Sequence, residues 1–248
     1  MRWIGVPDVW DAREADPGFM ASLATFAVLG LGLDLVVDGT VLTLTGTVPT
    51  LYPLGWQAVV WAGLGILWWF TARALVLWSR RRGVDPLPSG TPDGRDEAAL
   101  DHRAWRTVLG CAVGAVVVAI VLPALLGVPG LAPVERFATL YEAYGAASWV
   151  AVLAWLVRLV GRCAVLASIL AYAHRAVLGV VTLRGARWVP WGGLVLGAVT
   201  GAVALLSRGP AVALSTLVVC TLLGVVHVRG GESLRITAPF TLLAFAVL

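Results

Sequence analysis

Residues 56–78 read WQAVVWAGLGILWWFTARALVLW, a run in which Arg73 is the only charged side chain and Trp56 and Trp78 stand at the two ends. As a helix the run is about 35 Å long at 1.5 Å per residue, enough to cross roughly 30 Å of hydrocarbon. In lipid, a single isolated segment satisfies all its backbone N–H and C=O groups only as a helix. Terminal tryptophans suit the two interfacial belts of a bilayer. The stretch therefore predicts a transmembrane helix, halted by the arginine cluster SRRRG at residues 79–83.

The same pattern recurs at residues 18–44, 107–127, 146–172, 190–206 and 210–228, with a shorter last run at 236–248. It predicts an all-α, polytopic helical integral membrane protein with about seven transmembrane helices. Composition agrees: 59% of the residues are hydrophobic, 13% are charged and the mean hydropathy is +0.89, against about 25% charged for ordinary soluble domains. A soluble enzyme with a buried core is excluded. The weakest span is the last, whose run reaches only about 20 Å.

Four regions follow. Residues 1–17 carry Asp8, Asp11, Glu14 and Asp16 ahead of any long apolar run, unlike a cleaved signal peptide. Trp3, Val6 and Trp10 share one helical face there, which predicts an interfacial N-terminal segment. Residues 18–78 hold the first two spans. Residues 79–106 form a hydrophilic cytoplasmic linker whose stretch DPLPSGTPDG, 85–94, is dense in proline and glycine. The helical bundle fills 107–248, with a short interfacial helix expected at 132–145.

The 18 basic residues are all arginine, and their distribution sets the orientation. Those between spans collect on one side, from Arg2 and Arg13 through the 79–106 linker to Arg229 and Arg235, whereas only Arg136 and Arg208 fall on the other. Positive charge stays cytoplasmic, so the N-terminus is expected inside and the protein in the cytoplasmic membrane. A pI of about 9.4 is explained by this topology, and no nucleic acid partner is expected. The lipid bilayer is the expected partner. Cys111, Cys163 and Cys220 lie in apolar runs without CxxC spacing, which fits packing residues.

Ionisable groups inside a span cost roughly 2.5–3.5 kcal/mol on insertion scales, so each is a candidate for function. Arg73 is one turn from its helix end and can snorkel. Arg158 and Arg162, in WLVRLVGRCAVLAS at 155–168, are four apart and share a helix face. They require a counter-ion, water or a bound anion, and Asp34 is the one acid clearly inside another span. Gly161 between them offers a bend that would carry both toward headgroups or a crevice. Arg158, Arg162 and Asp34 thus form the candidate intramembrane polar site.

A looser group lies at the cytoplasmic helix ends: His174, His227 and Glu232. Histidine with carboxylate suits zinc-like ions, but no HExxH or HxxxH spacing supports a metal site. GxSxG, P-loop and GxGD signatures are also missing. No catalytic residue, cofactor or metal is expected. Gly193, Gly197 and Gly201 repeat at four-residue spacing, as do Gly110 and Gly114, which lets helices approach closely in lipid. The first set serves packing within the chain or a contact with a membrane protein partner or a second copy.

The pieces AYAHRAVLGVVTLRGARWVPWGGLV and LLGVVHVRGGESLRIT give residues 171–248 a layout that resembles the CPBP family, which includes CAAX prenyl endopeptidases and bacteriocin-processing or immunity proteins. Where that family places adjacent glutamates followed by an arginine, this chain has Ala173, His174 and Leu178. No histidine occurs between Pro190 and Leu206, and the last span holds neither histidine nor asparagine. The resemblance therefore implies a relative without the catalytic set. The leading expectation is a non-catalytic scaffold, immunity or partner-binding membrane protein. The alternatives are a transporter or channel subunit with an anion site at Arg158 and Arg162, and a CPBP-type peptidase with atypical residues.

Overall fold

The computed structural model describes residues 16–46, 52–87, 102–128, 132–181 and 185–248. The face of Trp3, Val6 and Trp10 lies outside the described residues, as does most of the linker. Eight helices account for most of what is described: α1 (Pro17–Thr45), α2 (Leu54–Arg81), α3 (His102–Leu125), α4 (Ala132–Tyr144), α5 (Ser148–Val180), α6 (Trp191–Arg208), α7 (Pro210–Arg229) and α8 (Leu234–Val247). Six of them, all but α4 and α8, are long and apolar enough to cross a membrane, as in a multi-pass membrane protein. The last helix has 14 residues and measures about 21 Å.

Local chemistry sets the ends of α1. The Asp16 carboxylate accepts the Gly18 N–H at 3.0 Å and Pro17 opens the helix, satisfying one exposed donor and dispensing with another. Gly46 closes it with φ 64, a left-handed turn that glycine adopts without a Cβ penalty. The predicted fourth span is longer than its apolar core: α5 has 33 residues, about 50 Å, and runs on to Val180. Every residue from Val165 to His174 is buried. A helix buried on all sides belongs at the centre of a bundle, and α5 indeed packs against α1, α2, α4, α6 and α8.

Three backbone crossings hold this arrangement. Gly65 on α2 and Gly161 on α5 meet directly: a Cβ on Gly161 would strike the Gly65 carbonyl, and one on Gly65 the Val157 carbonyl. Gly192 on α6 seats against the Leu170 carbonyl of α5, and Gly193 faces Gly224 of α7. Gly161 is therefore a point of close approach, and α5 continues through it without a break. Gly197 and Gly201 also face α7, against Leu217, Cys220 and Ala213, so the whole small-residue row packs within the chain.

The Gly110 and Gly114 pair does not make the close contact expected of it. Nothing lies within 4 Å of a Cβ at Gly110, and Gly114 touches only a Leu222 methyl at 3.8 Å. The α3 face packed on α7 carries Val108, Ala112, Ala115 and Ala119 instead. Alanine is small enough for the same approach and keeps better helix propensity. Past α2, Val84 is buried and the Pro86 carbonyl accepts the Leu234 N–H at 3.1 Å, so the start of the linker is pinned beneath α8.

Contacts between helix termini define two ends of the bundle. Phe19 meets Trp78, and Gly179 abuts Pro17; Arg229 stacks on Trp188 at 4.5 Å. At the opposite end Arg208 donates to the Leu248 carbonyl at 3.2 Å. The first half of α5 faces one end and its last third the other.

Candidate functional site

The first half of α5 presents Trp155, Arg158, Leu159 and Arg162 at i, i+3, i+4 and i+7, one continuous stripe. Arg158 Nη2 is ion-paired with Asp34 Oδ1 of α1, with side chains 14% and 20% exposed. Its guanidinium also lies over two rings of α2, 5.7 Å from Trp61 and 6.0 Å from Trp68. Trp68 is fully buried and donates its indole N–H to the Gly30 carbonyl at 2.7 Å, which fixes the ring as a floor beneath the charge. Such stacking contributes about 0.5–2 kcal/mol.

Short helix α4 brings a third arginine. Arg136 sits 5.8 Å from the Trp61 ring and 5.9 Å from Trp155, so Trp61 has two guanidiniums close to its ring. The opposite face of α4 carries Phe137 and Tyr141, stacked at 6.2 Å, with Trp149 beyond at 5.4 Å from Phe137. That polarity is what an interfacial helix needs: cation inward, aromatic rings outward.

These groups wall a cavity of about 430 Å³, to which Arg136, Arg158, Arg162, Arg208 and Asp34 all contribute. A second cavity of about 490 Å³ shares Trp61, Arg136 and Arg208 with it and reaches Glu135. Among the described residues, four arginines and one acidic side chain line the first cavity. Asp34 is engaged by Arg158. Among the described residues Arg162 forms no hydrogen bond or ion pair, and it opens onto the cavity wall. An arginine kept at this depth without a hydrogen-bonded counter-ion leaves its N–H donors available to an anion.

The second predicted group also comes together, at the other end of α5. His174 and His227 are 1% and 0% exposed and meet edge to face, ring centroids 5.9 Å apart. Thr237 Oγ1 donates to the Ser233 carbonyl at 2.8 Å. Its hydroxyl hydrogen is then committed, so it accepts from His227 Nδ1–H at 2.9 Å. His227 Nε2 is left as a bare acceptor without a hydrogen-bond partner, and both nitrogens of His174 lack one. Glu232 lies 3.9 Å from His174 Nε2 and 3.5 Å from Arg175 Nε. It has φ 56, a left-handed conformation that costs a non-glycine residue roughly 1–2 kcal/mol. Neither of the two cavities reaches these histidines. Among the described residues no three His, Cys, Asp or Glu side chains are arranged to hold a metal ion.

No protein-family model, curated protein or solved structure matches this chain. The residues themselves carry the functional reading. The structure brings Arg158, Arg162 and Asp34, the candidates legible in the sequence, together with Arg136, Arg208, Trp61 and Trp155, which the sequence does not mark. Arg136 and Arg208 read as loop charges that set topology. The spacing of Pro133, Arg136, Leu140 and Ala143, one face of a short helix, was the available sign that Arg136 turns inward.

Proposed function

We propose that this chain is a non-catalytic multi-pass protein of the cytoplasmic membrane, with seven spans and its N-terminus inside, that binds an anionic group in its interior at Arg162. The observation that carries this reading is Arg162, which among the described residues has no ion pair and stands on a cavity wall with three other guanidiniums and the engaged carboxylate of Asp34. Low local dielectric strengthens the attraction for an anion there. The cavity lies toward the ends of α6 and α8, the side that carries few arginines, so the anion enters from the non-cytoplasmic face. The CPBP-like layout of 171–248 fits a relative that has kept the helical scaffold and lost the chemistry.

The test is calorimetric titration of the purified protein with inorganic phosphate and with sulfate at constant ionic strength. Arg162→Gln is expected to weaken binding about tenfold or more, the worth of a charge-assisted hydrogen bond, with helical content unchanged. Equal affinity in the parent and the variant would sink the reading. Anion flux into liposomes that falls with Arg162→Gln would make the site part of a transport route.

The convergence of His174, His227 and Glu232 favours a second reading, an enzyme acting at the cytoplasmic end. It predicts hydrolysis of a lipidated or leader peptide by the purified protein that is abolished by His227→Gln; no turnover by the parent removes it.

A further inference from the structure

We infer that the anionic group is the head of a lipid, which reaches the arginine cavity sideways through a slot between α1 and α6. This inference rests on the anion site proposed above and names the class of molecule that fills it. Both α1 and α6 pack on α5, but they form no packing interface with each other among the described residues. Between them runs the α5 stripe of Trp155, Arg158, Leu159 and Arg162, all four lining the cavity.

The edges of the slot are apolar and open. Leu35 on α1 and Val203 on α6 line the cavity and yet are 65% and 41% exposed. Neither sits at a helix end: Leu35 is about 15 Å from the end of α1 and Val203 about 7.5 Å from the end of α6. Their exposed surface therefore lies at hydrocarbon depth, where acyl chains are the surrounding solvent. A small hydrated anion has no use for such edges, because a water-filled route would expose leucine and valine to water. An amphiphile uses both parts, with its chains between Leu35 and Val203 and its phosphate on Arg162.

The polar end of the site fits a headgroup as well. Arg136 and Arg208 belong to both cavities, so guanidiniums line a path from the bundle end to Arg162. Arginine's planar fork pairs phosphate oxygens in a bidentate manner. The aromatic outer face of α4, with Phe137 and Tyr141, and the neighbouring Trp149 at the start of α5 place the cavity mouth at headgroup level.

The experiment is native mass spectrometry of the full chain released from nanodiscs of phosphatidylglycerol and phosphatidylcholine in equal parts, beside calorimetric titration with inorganic phosphate. Retention of phosphatidylglycerol over phosphatidylcholine is expected, falling about tenfold or more in Arg162→Gln. Val203→Trp, at an exposed position on the cavity rim, fills the slot without removing an arginine. It is expected to lower lipid retention several-fold, and Leu35→Trp should do the same from the other edge. Phosphate binding without preference for the anionic lipid would overturn the lipid inference and leave the anion site standing. Failure to bind either would overturn both. Lipid retention that survives both tryptophan variants would place the chains elsewhere and also overturn the slot.

Discussion

Substituting Gly161 by alanine tests the crossing on which the arginine stripe depends. A methyl at this position lands on the Gly65 carbonyl oxygen, with the Gly65 Cα behind it. Both neighbours are backbone, so no rotamer change relieves the overlap and α5 must move off α2 over the surface that includes Trp61 and Trp68. Overpacking of this kind costs typically 1–3 kcal/mol, and about 2–3 kcal/mol is expected because the obstacle is rigid. With a melting shift of roughly 2–4 °C per kcal/mol for a chain of this size, the variant should unfold about 4–12 °C lower. Thermal loss of helical circular dichroism in detergent measures it. Gly63→Ala is the control, since its Cβ meets nothing within 4 Å, and it should match the parent or exceed it by up to about 1 kcal/mol. Gly65→Ala presses on the same crossing from the other side, so the double variant should lose less than the summed singles by about 1 kcal/mol. Parent-like melting of Gly161→Ala, or strict additivity of the pair, would refute the crossing.

Asp34→Asn should act in opposite directions on stability and on binding. Loss of the Arg158 partner costs about 1–3 kcal/mol, below the 3–5 kcal/mol of a fully buried pair because both side chains retain some exposure, while phosphate titration should show tighter binding. Thr237→Val takes the acceptor from His227 Nδ1–H and should cost about 1–3 kcal/mol in denaturant unfolding. Thr241→Val removes only a hydroxyl bonded to its own helix, at Thr237 O, and should cost less. A maleimide should label partly exposed Cys111 in the folded protein before buried Cys163 and Cys220, which mass spectrometry of the labelled protein can follow.

The spans were legible because a bilayer imposes one length and one polarity on each. Residues 18–44 became Pro17–Thr45 and residues 210–228 became Pro210–Arg229. The Asp34–Arg158 pair was legible for a related reason, as few charges are available at depth to neutralise one another. Partners that depend on packing were hidden. Gly65 sits in a run with Gly63 and nothing in the sequence separates the one that meets α5 from the one that faces lipid. Gly110 and Gly114 have the favoured spacing, yet the alanines beside them make the interface, because helix rotation depends on the whole bundle. Arg136 was legible only as a member of one face of a short helix, because which way that face turns follows from the docking of α4 on α5 and α8.

The ion pair between Asp34 and Arg158 joins residues 124 positions apart in the chain, which has a consequence for biosynthesis. At roughly 5–20 residues per second, the carboxyl of Asp34 is made about 6–25 s before the guanidinium that neutralises it. The first helix has little packing surface with the second and finds its main neighbour in the fifth. Until that neighbour emerges, α1 carries an uncompensated acid in an apolar run, which an insertion machine must shelter or hold near the membrane surface. Arrival of α5 supplies the counter-charge, so the pair can form only after the fifth helix has been made.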